Sequence, residues 1–161
     1  MHKFIIKLRS KLLVYLTHKM ALPVLRIIRK PEKFPFTMAE LKLFPQHSLG
    51  NDLAVFLKEK ELELLPYYAR HDIKHILLAY DTTDEGEGCL QCFMLGNGHI
   101  SFPVLATVIY GFVTMPEYWG NFRRAFVNGK QSNPIADWKW FEILEQPTAS
   151  LIKQIKFKHQ N

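Results

Sequence analysis

The 161-residue sequence is poor in the residues that characterise fibrous and disulfide-stapled proteins. It has only two cysteines, Cys89 and Cys92, which are too few for a disulfide scaffold and suggest a reducing compartment. Its eight glycines and nine prolines show no period, which excludes a collagen-like fibre. With 48% hydrophobic and 22% charged residues, the chain has a globular composition, and its length suits one domain.

Excess positive charge is also missing from most of the chain. Residues 1–33 contain nine Lys or Arg and one acidic residue, whereas the remainder has 12 basic and 14 acidic residues. A region so close to neutrality has no obvious basic surface that would bind successive phosphates of a nucleic acid, and we expect no nucleic-acid partner. We therefore divide the chain into a basic segment, residues 1–33, and a main domain, residues 34–161.

The basic segment has the pattern of an amphipathic helix over residues 3–20. Phe4, Leu8 and Leu12 share one sector of a helical projection, and Lys7 and Lys11 lie opposite. Charges at positions 7, 9 and 11 interrupt the apolar residues, so neither a secretory signal nor a transmembrane span is predicted. The helix lies on an anionic membrane surface, serves organelle targeting, or packs on its own domain with a solvated basic face.

Helical periodicity dominates the rest of the chain, and no alternating strand pattern competes with it. We predict an all-α fold, a single helical domain of about six to eight helices with the basic amphipathic helix at its N-terminus. The segment Phe102–Met115 is apolar nearly all round, which indicates a buried central helix. The other predicted helices are Leu49–Lys58, Leu65–Tyr80, Glu87–Leu95, Pro116 or Glu117 to Val127, Pro134–Leu144 and Thr148–Phe157.

The stretch richest in side chains that could bind a metal or take part in catalysis is His71-Asp72-Ile73-Lys74-His75, followed after eleven residues by Glu87. His71 and His75 are one helical turn apart, so both imidazoles can face one ion, and Glu87 can return across the acidic turn. Such ligands suit zinc and tolerate iron or manganese. Asp72 is either a further ligand or a carboxylate that orients a histidine. The alternative is a polar helix face whose side chains are solvated or cap the helix.

The two cysteines form a C-x-x-C pattern, which occurs in redox and zinc sites. No second pair and no βαβ pattern accompanies it here. We therefore predict that Cys89 and Cys92 are small buried side chains of the core.

The spacing from His71 to Glu87 resembles the zinc-ligand motif of the coenzyme Q (ubiquinone) biosynthesis protein four family. The similarity covers about residues 36–156, in the same order and with few gaps, and the combination is more specific than the motif alone. The chain departs from the family pattern near the motif, at Lys74, Asp81, Gln91 and Met94. The further matching positions are Ser48-Leu49-Gly50, Gly86, Gly129-Lys130, Asn133-Pro134, Trp138, Phe141-Glu142, Glu145-Gln146-Pro147 and Leu151.

The resemblance implies an all-helical protein, peripheral on membranes, that binds a divalent metal through His71, Asp72, His75 and Glu87. Zinc is the metal expected first, with iron or manganese as alternatives. The implied role is ubiquinone biosynthesis, by oxidative decarboxylation of the ring carboxylate of a polyprenylated benzoquinone precursor. Alternatively, the protein holds such isoprenoid lipids without catalysis, as a scaffold for other quinone biosynthesis proteins. The expected location is the cytoplasmic membrane face in a bacterium, or the matrix side of the mitochondrial inner membrane in a eukaryote.

Overall fold

The structure, a computed structural model, describes residues 32–156, so the predicted N-terminal helix over residues 3–20 lies outside the described residues. Within that range the chain forms seven α-helices and no strand, which confirms the all-α fold. A 3₁₀ turn, Pro116–Tyr118, links the fifth and sixth helices. The helices are α1 Met38–Leu41, α2 Leu49–Glu59, α3 Ala69–Leu78, α4 Asp84–Gly96, α5 Phe102–Thr114, α6 Trp119–Gln131 and α7 Thr148–Lys156.

Capping residues determine where helices α2 and α4 begin. The hydroxyl of Ser48 accepts a hydrogen bond from the backbone N–H of Asn51, and this confirms the predicted start of α2. Thr83 caps α4 in the same way by accepting from the N–H of Gly86, so α4 begins before the predicted Glu87. The acidic turn is therefore partly helical, and Glu87 lies in the first turn of α4.

Helix α4 lies at the centre of the packing, mainly against α6 and α5. Its Cys89, Cys92, Phe93 and Met94 side chains are buried, which confirms the cysteines as core residues. Gly129 of α6 lies so close to α4 that an added Cβ would collide with the carbonyl of Phe93. The rest of the core comes from all parts of the described chain and includes Phe34, Leu41, Leu53, Leu57, Ile73, Met115, Phe122, Ile135, Leu144 and Leu151.

The prediction of a helix at Pro134–Leu144 is wrong, because this segment forms a series of turns. Its backbone is engaged with other elements: the N–H of Ile135 donates to the side-chain oxygen of Asn97, and the carbonyl of Leu144 accepts from Gly50. Leu49 similarly donates to the carbonyl of Gln146. The carbonyls of Leu144 and Gln146 thereby serve as acceptors for the first N–H groups of α2, which have no partner inside their own helix.

The prediction of a buried central helix at Phe102–Met115 is also wrong in its placement. Helix α5 is present, but only Val104, Thr107 and Gly111 within it are buried. The opposite face of α5, from Phe102 to Val113, is exposed. None of the helices in residues 32–156 is long and apolar enough to cross a bilayer.

Candidate metal centre

Helices α3 and α4 bring three of the four predicted ligand side chains together. His71 and His75 lie on α3, and Glu87 reaches them from the first turn of α4. Nε2 of His71 is 3.1 Å from Oε2 of Glu87, and Nε2 of His75 is 3.0 Å from Oε1 of the same carboxylate. The three side chains each offer a ligand atom within 4.8 Å of the others. Two imidazole nitrogens and one carboxylate oxygen at this separation fit a transition-metal ion such as zinc.

The turn between the two helices fixes the approach of Glu87. Helix α3 ends at Ala79, which adopts the left-handed conformation with φ 55° and ψ 36°. The chain then reverses so tightly that a Cβ on Gly86 would collide with the carbonyl of Asp81. A glycine at position 86 is therefore needed for Glu87 to point back at α3.

The same turn also orients His75. Nδ1 of His75 lies 2.9 Å from the backbone carbonyl of Tyr80, and a carbonyl can only accept, so Nδ1 carries the proton. In a neutral imidazole, Nε2 then presents its lone pair to the Glu87 carboxylate, which is also an acceptor. Two acceptors at hydrogen-bond distance need a proton or a cation between them. The donor set therefore fits a bound metal ion.

Asp72 lies beside this group. Its carboxylate is buried, and its Oδ1 is 3.8 Å from Nδ1 of His71, the nitrogen that points away from Glu87. This position matches the orienting role considered for Asp72, in which a carboxylate fixes the ring of a ligating histidine. The structure thus brings His71, His75 and Glu87 into one group, with Asp72 behind His71.

Neighbouring charges change the pKa values of His71 and Glu87. Burial disfavours protonation of His71, but the carboxylates of Asp72 and Glu87 outweigh it and raise the pKa of His71 to about 9. Burial likewise opposes ionisation of Glu87, but the adjacent imidazoles of His71 and His75 outweigh it and hold the pKa of Glu87 well below its ordinary value. The carboxylate is therefore ionised across the physiological range, as a metal ligand must be.

One side of the group is open to solvent, and the other is closed. The side chain of His71 is 30% exposed and that of Glu87 25%, whereas His75 is fully enclosed and lies against the ring of Phe56. An open side is a property of catalytic metal sites, because a substrate or water must reach the ion.

Lys74 lies about one helical turn after His71. In the sequence it is notable only as a departure from the family pattern, and its possible role at the site becomes visible in the structure. Its ammonium lies 5.5 Å from the centre of the Trp140 ring. Burial and the nearby charge of Arg70 lower the pKa of Lys74 to about 8. No carboxylate in residues 32–156 forms an ion pair with Lys74, so this partly buried positive charge, three residues after His71 on α3, has no fixed anion.

A cavity in the described part of the chain lies apart from this group. It has a volume of about 930 Å³ and is formed by the α3–α4 turn, the start of α4 and the outer side of α6. Tyr80 is one of its lining residues, and the Tyr80 carbonyl also contacts Nδ1 of His75. None of the three clustered side chains lines this cavity. The candidate metal centre therefore lies outside this cavity, between α3 and α4, and is open to solvent only on the side of His71 and Glu87.

Comparison with known proteins shows a similarity in fold. No family model and no curated protein matches the chain. The chain is similar to the crystal structure of a protein from Nostoc punctiforme PCC 73102 that is provisionally named a ubiquinone biosynthesis protein. The two share 19% identity and a TM-score of 0.66, over 96% of this chain and 82% of that chain. At this level of identity, the match establishes a shared helical fold over nearly the whole sequence.

Proposed function

We propose that the protein is a metal-dependent enzyme of ubiquinone biosynthesis that removes the ring carboxylate of a polyprenylated benzoquinone precursor. The observation that carries this proposal is the meeting of His71, His75 and Glu87 at one open site. The fold shared with the Nostoc punctiforme protein supports quinone biosynthesis as the setting, and the motif spacing agrees with it.

His71, His75 and Glu87 would hold the ion, and two further groups would fix the rings. The Tyr80 carbonyl holds His75 with Nε2 toward the site, and Asp72 lies against Nδ1 of His71. When bound, a zinc, iron or manganese ion supplies Lewis acidity, which stabilises negative charge on a substrate oxygen. Because the protein residues are positioned by backbone and buried contacts, little reorganisation is needed when substrate arrives.

The positive charge of Lys74 supports an acidic substrate. An aromatic ring that carries a carboxylate could approach the exposed side of His71, and Lys74, three residues later on the same helix, would supply a positive charge for that carboxylate. In the proposed reaction the bond between the ring and the carboxylate breaks and releases carbon dioxide, and a water molecule supplies the oxygen of the new ring hydroxyl. Two electrons and two protons pass to dioxygen from solution, which is reduced to hydrogen peroxide.

The test uses a prenylated hydroxybenzoate precursor labelled with ¹³C in its carboxylate. We expect purified, metal-loaded protein to release ¹³CO₂ in the presence of dioxygen, and the His71→Ala variant to release none above background. His47→Asn is the matched control, because His47 is exposed and lies outside the site. Full activity in His71→Ala, with metal retained, would contradict the proposal.

The exposed apolar face of α5 favours a second candidate function, a non-catalytic prenyl-lipid-binding or scaffold protein of a quinone biosynthesis complex. In this case the metal would only hold α3 and α4 together. Metal removal would then lower thermal stability and leave binding of a prenylated quinone unchanged. Turnover of the labelled precursor by the purified protein would exclude this candidate.

A further inference from the structure

The outward face of α5 is a continuous apolar surface without charge. The sequence has no Lys, Arg, Asp or Glu from Gly88 to Pro116. Phe102, Ile109 and Val113 are 69%, 62% and 76% exposed, and Leu105 and Phe112 are exposed as well. These five side chains fall within a sector of about 100° on the helix, so they face the same way. Among residues 32–156, nothing covers this face.

The surface continues onto the start of α6 through one aromatic contact. The rings of Phe112 and Trp119 are 6.2 Å apart, and the indole N–H of Trp119 donates to the carbonyl of Phe112 at 2.8 Å. The polar edge of Trp119 is thereby satisfied within the protein while about half of the side chain stays exposed. The apolar face thus ends at an anchored tryptophan, a residue that favours membrane interfaces.

Positive charge follows the tryptophan along α6. Arg123 and Lys130 lie four and eleven residues after Trp119, which places all three on one side of the helix, together with Phe126. All four are exposed. Glu117 is the one acidic residue between Glu87 and Asp137 in the sequence. We define the docking surface as the outward face of α5 together with the Trp119, Arg123, Phe126 and Lys130 side of α6.

We propose that this docking surface is where the protein lies on an anionic lipid bilayer. Exposed apolar side chains would enter the acyl boundary, and Arg123 and Lys130 would meet lipid phosphates. A second copy of the chain fits less well, because it would bring together Arg123 and Lys130 of both copies with few acidic partners. Helix α5 has 13 residues and is about 20 Å long, too short to span a bilayer, so it would lie along the surface. The inference does not depend on the metal centre or on the proposed reaction.

The test measures binding of the full chain to phosphatidylcholine vesicles with and without phosphatidylglycerol. The informative variant is Ile109→Glu with Val113→Glu, since both side chains are exposed and their replacement leaves the core intact. The matched control is Leu43→Glu with Val55→Glu, which places two glutamates at exposed apolar positions elsewhere. We expect the first pair to lower vesicle partitioning at least about tenfold and the control pair to leave it unchanged.

Two further variants separate the contributions. Arg123→Gln should weaken binding to the anionic vesicles and reduce its salt dependence, with neutral vesicles unaffected. Brominated lipids should quench the fluorescence of the wild-type protein, and Trp119→Phe should remove that quenching. The second measurement stands even if the glutamate pair fails to fold.

The proposal is overturned if the Ile109→Glu and Val113→Glu variant is folded and binds vesicles like the wild type, because residues 1–31 or another surface would then carry the binding. It is also overturned if the wild type does not bind vesicles but forms a dimer, and the Ile109→Glu, Val113→Glu variant is a monomer. In that case a second copy covers the surface.

Discussion

Nδ1 of His75 is hydrogen-bonded to the backbone carbonyl of Tyr80 at 2.9 Å, and this contact turns Nε2 of His75 toward Glu87. The acceptor belongs to the turn that ends α3, so the candidate metal centre depends on backbone conformation as well as on its ligands. Ala79, one residue before Tyr80, holds that turn in the left-handed region at φ 55°. An alanine is disfavoured there by its Cβ.

Ala79→Gly should therefore raise the free energy of unfolding by about 1 kcal/mol, since glycine adopts the left-handed conformation without that cost. Metal binding should be retained, because the Tyr80 carbonyl keeps its place. Chemical denaturation and metal titration provide the measurements. The same substitution at Ala106, an exposed position within α5, should instead lower stability by about 1 kcal/mol. Equal effects at the two positions would contradict the role of the turn.

Asp72 should act on the metal through His71. Asp72→Asn removes the charge behind Nδ1 of His71 and keeps the size of the side chain, so we expect metal affinity to fall by about tenfold to a hundredfold. Competition with a chelator of known affinity measures the change. Complete loss of metal, equal to the effect of His75→Ala, would show instead that Asp72 is itself a ligand.

The close approach of α4 and α6 should not tolerate a single added carbon. Gly129→Ala should lower the free energy of unfolding by about 2 kcal/mol or more, because its Cβ would collide with the carbonyl of Phe93. Gly120→Ala in the same helix is the control, since nothing lies near its Cβ position, and it should raise stability by about 1 kcal/mol. A stable Gly129→Ala protein would show that the two helices are further apart.

Local sequence signals sufficed for most helices. Ser48 capped α2 as predicted, and α2 differs from its predicted range by one residue. The helix prediction for Pro134–Leu144 failed. The helical spacing of its apolar residues comes from side chains, such as Ile135 and Leu144, that enter the core from a series of turns. Its backbone partners, Asn97 and Gly50, are distant in sequence, and no local pattern could reveal them.

The candidate site likewise combines features that local sequence predicts with contacts that it does not. The spacing of His71 and His75 on a helix could be seen in the sequence, and the structure brings both to Glu87. The Tyr80 carbonyl could not be foreseen, because a backbone acceptor leaves no residue-type signal. Nor could hydropathy show that α5 has an exposed face, since a buried helix and a helix with a solvent-facing apolar side have similar compositions.

The buried cysteines should make stability fall in alkaline solution. Burial and the charge of Glu85 raise the pKa of Cys89 to about 11, and burial and Cys89 raise that of Cys92 to about 12, from an ordinary value of 9.0. Between pH 9 and 11 the unfolded chain loses thiol protons that the folded protein keeps. The contribution to stability is therefore complete below pH 9 and declines above it.

Urea unfolding at pH 8 and pH 10 measures this decline, and the double variant Cys89→Ala, Cys92→Ala supplies the reference because every other titrating group is shared. The wild type should lose more stability between the two pH values than the variant does. An equal loss in both proteins would mean that the thiols ionise as readily in the folded state as in the unfolded chain.

The central claim is that His71, His75 and Glu87 hold a divalent metal, and elemental analysis of the purified protein tests it most directly. We predict near-stoichiometric zinc, iron or manganese in the wild type and in His47→Asn, and none in the double variant His71→Ala, His75→Ala. Circular dichroism of the three proteins establishes that each is folded. A folded wild type that binds none of these metals, or a double variant that retains the metal, would contradict the claim.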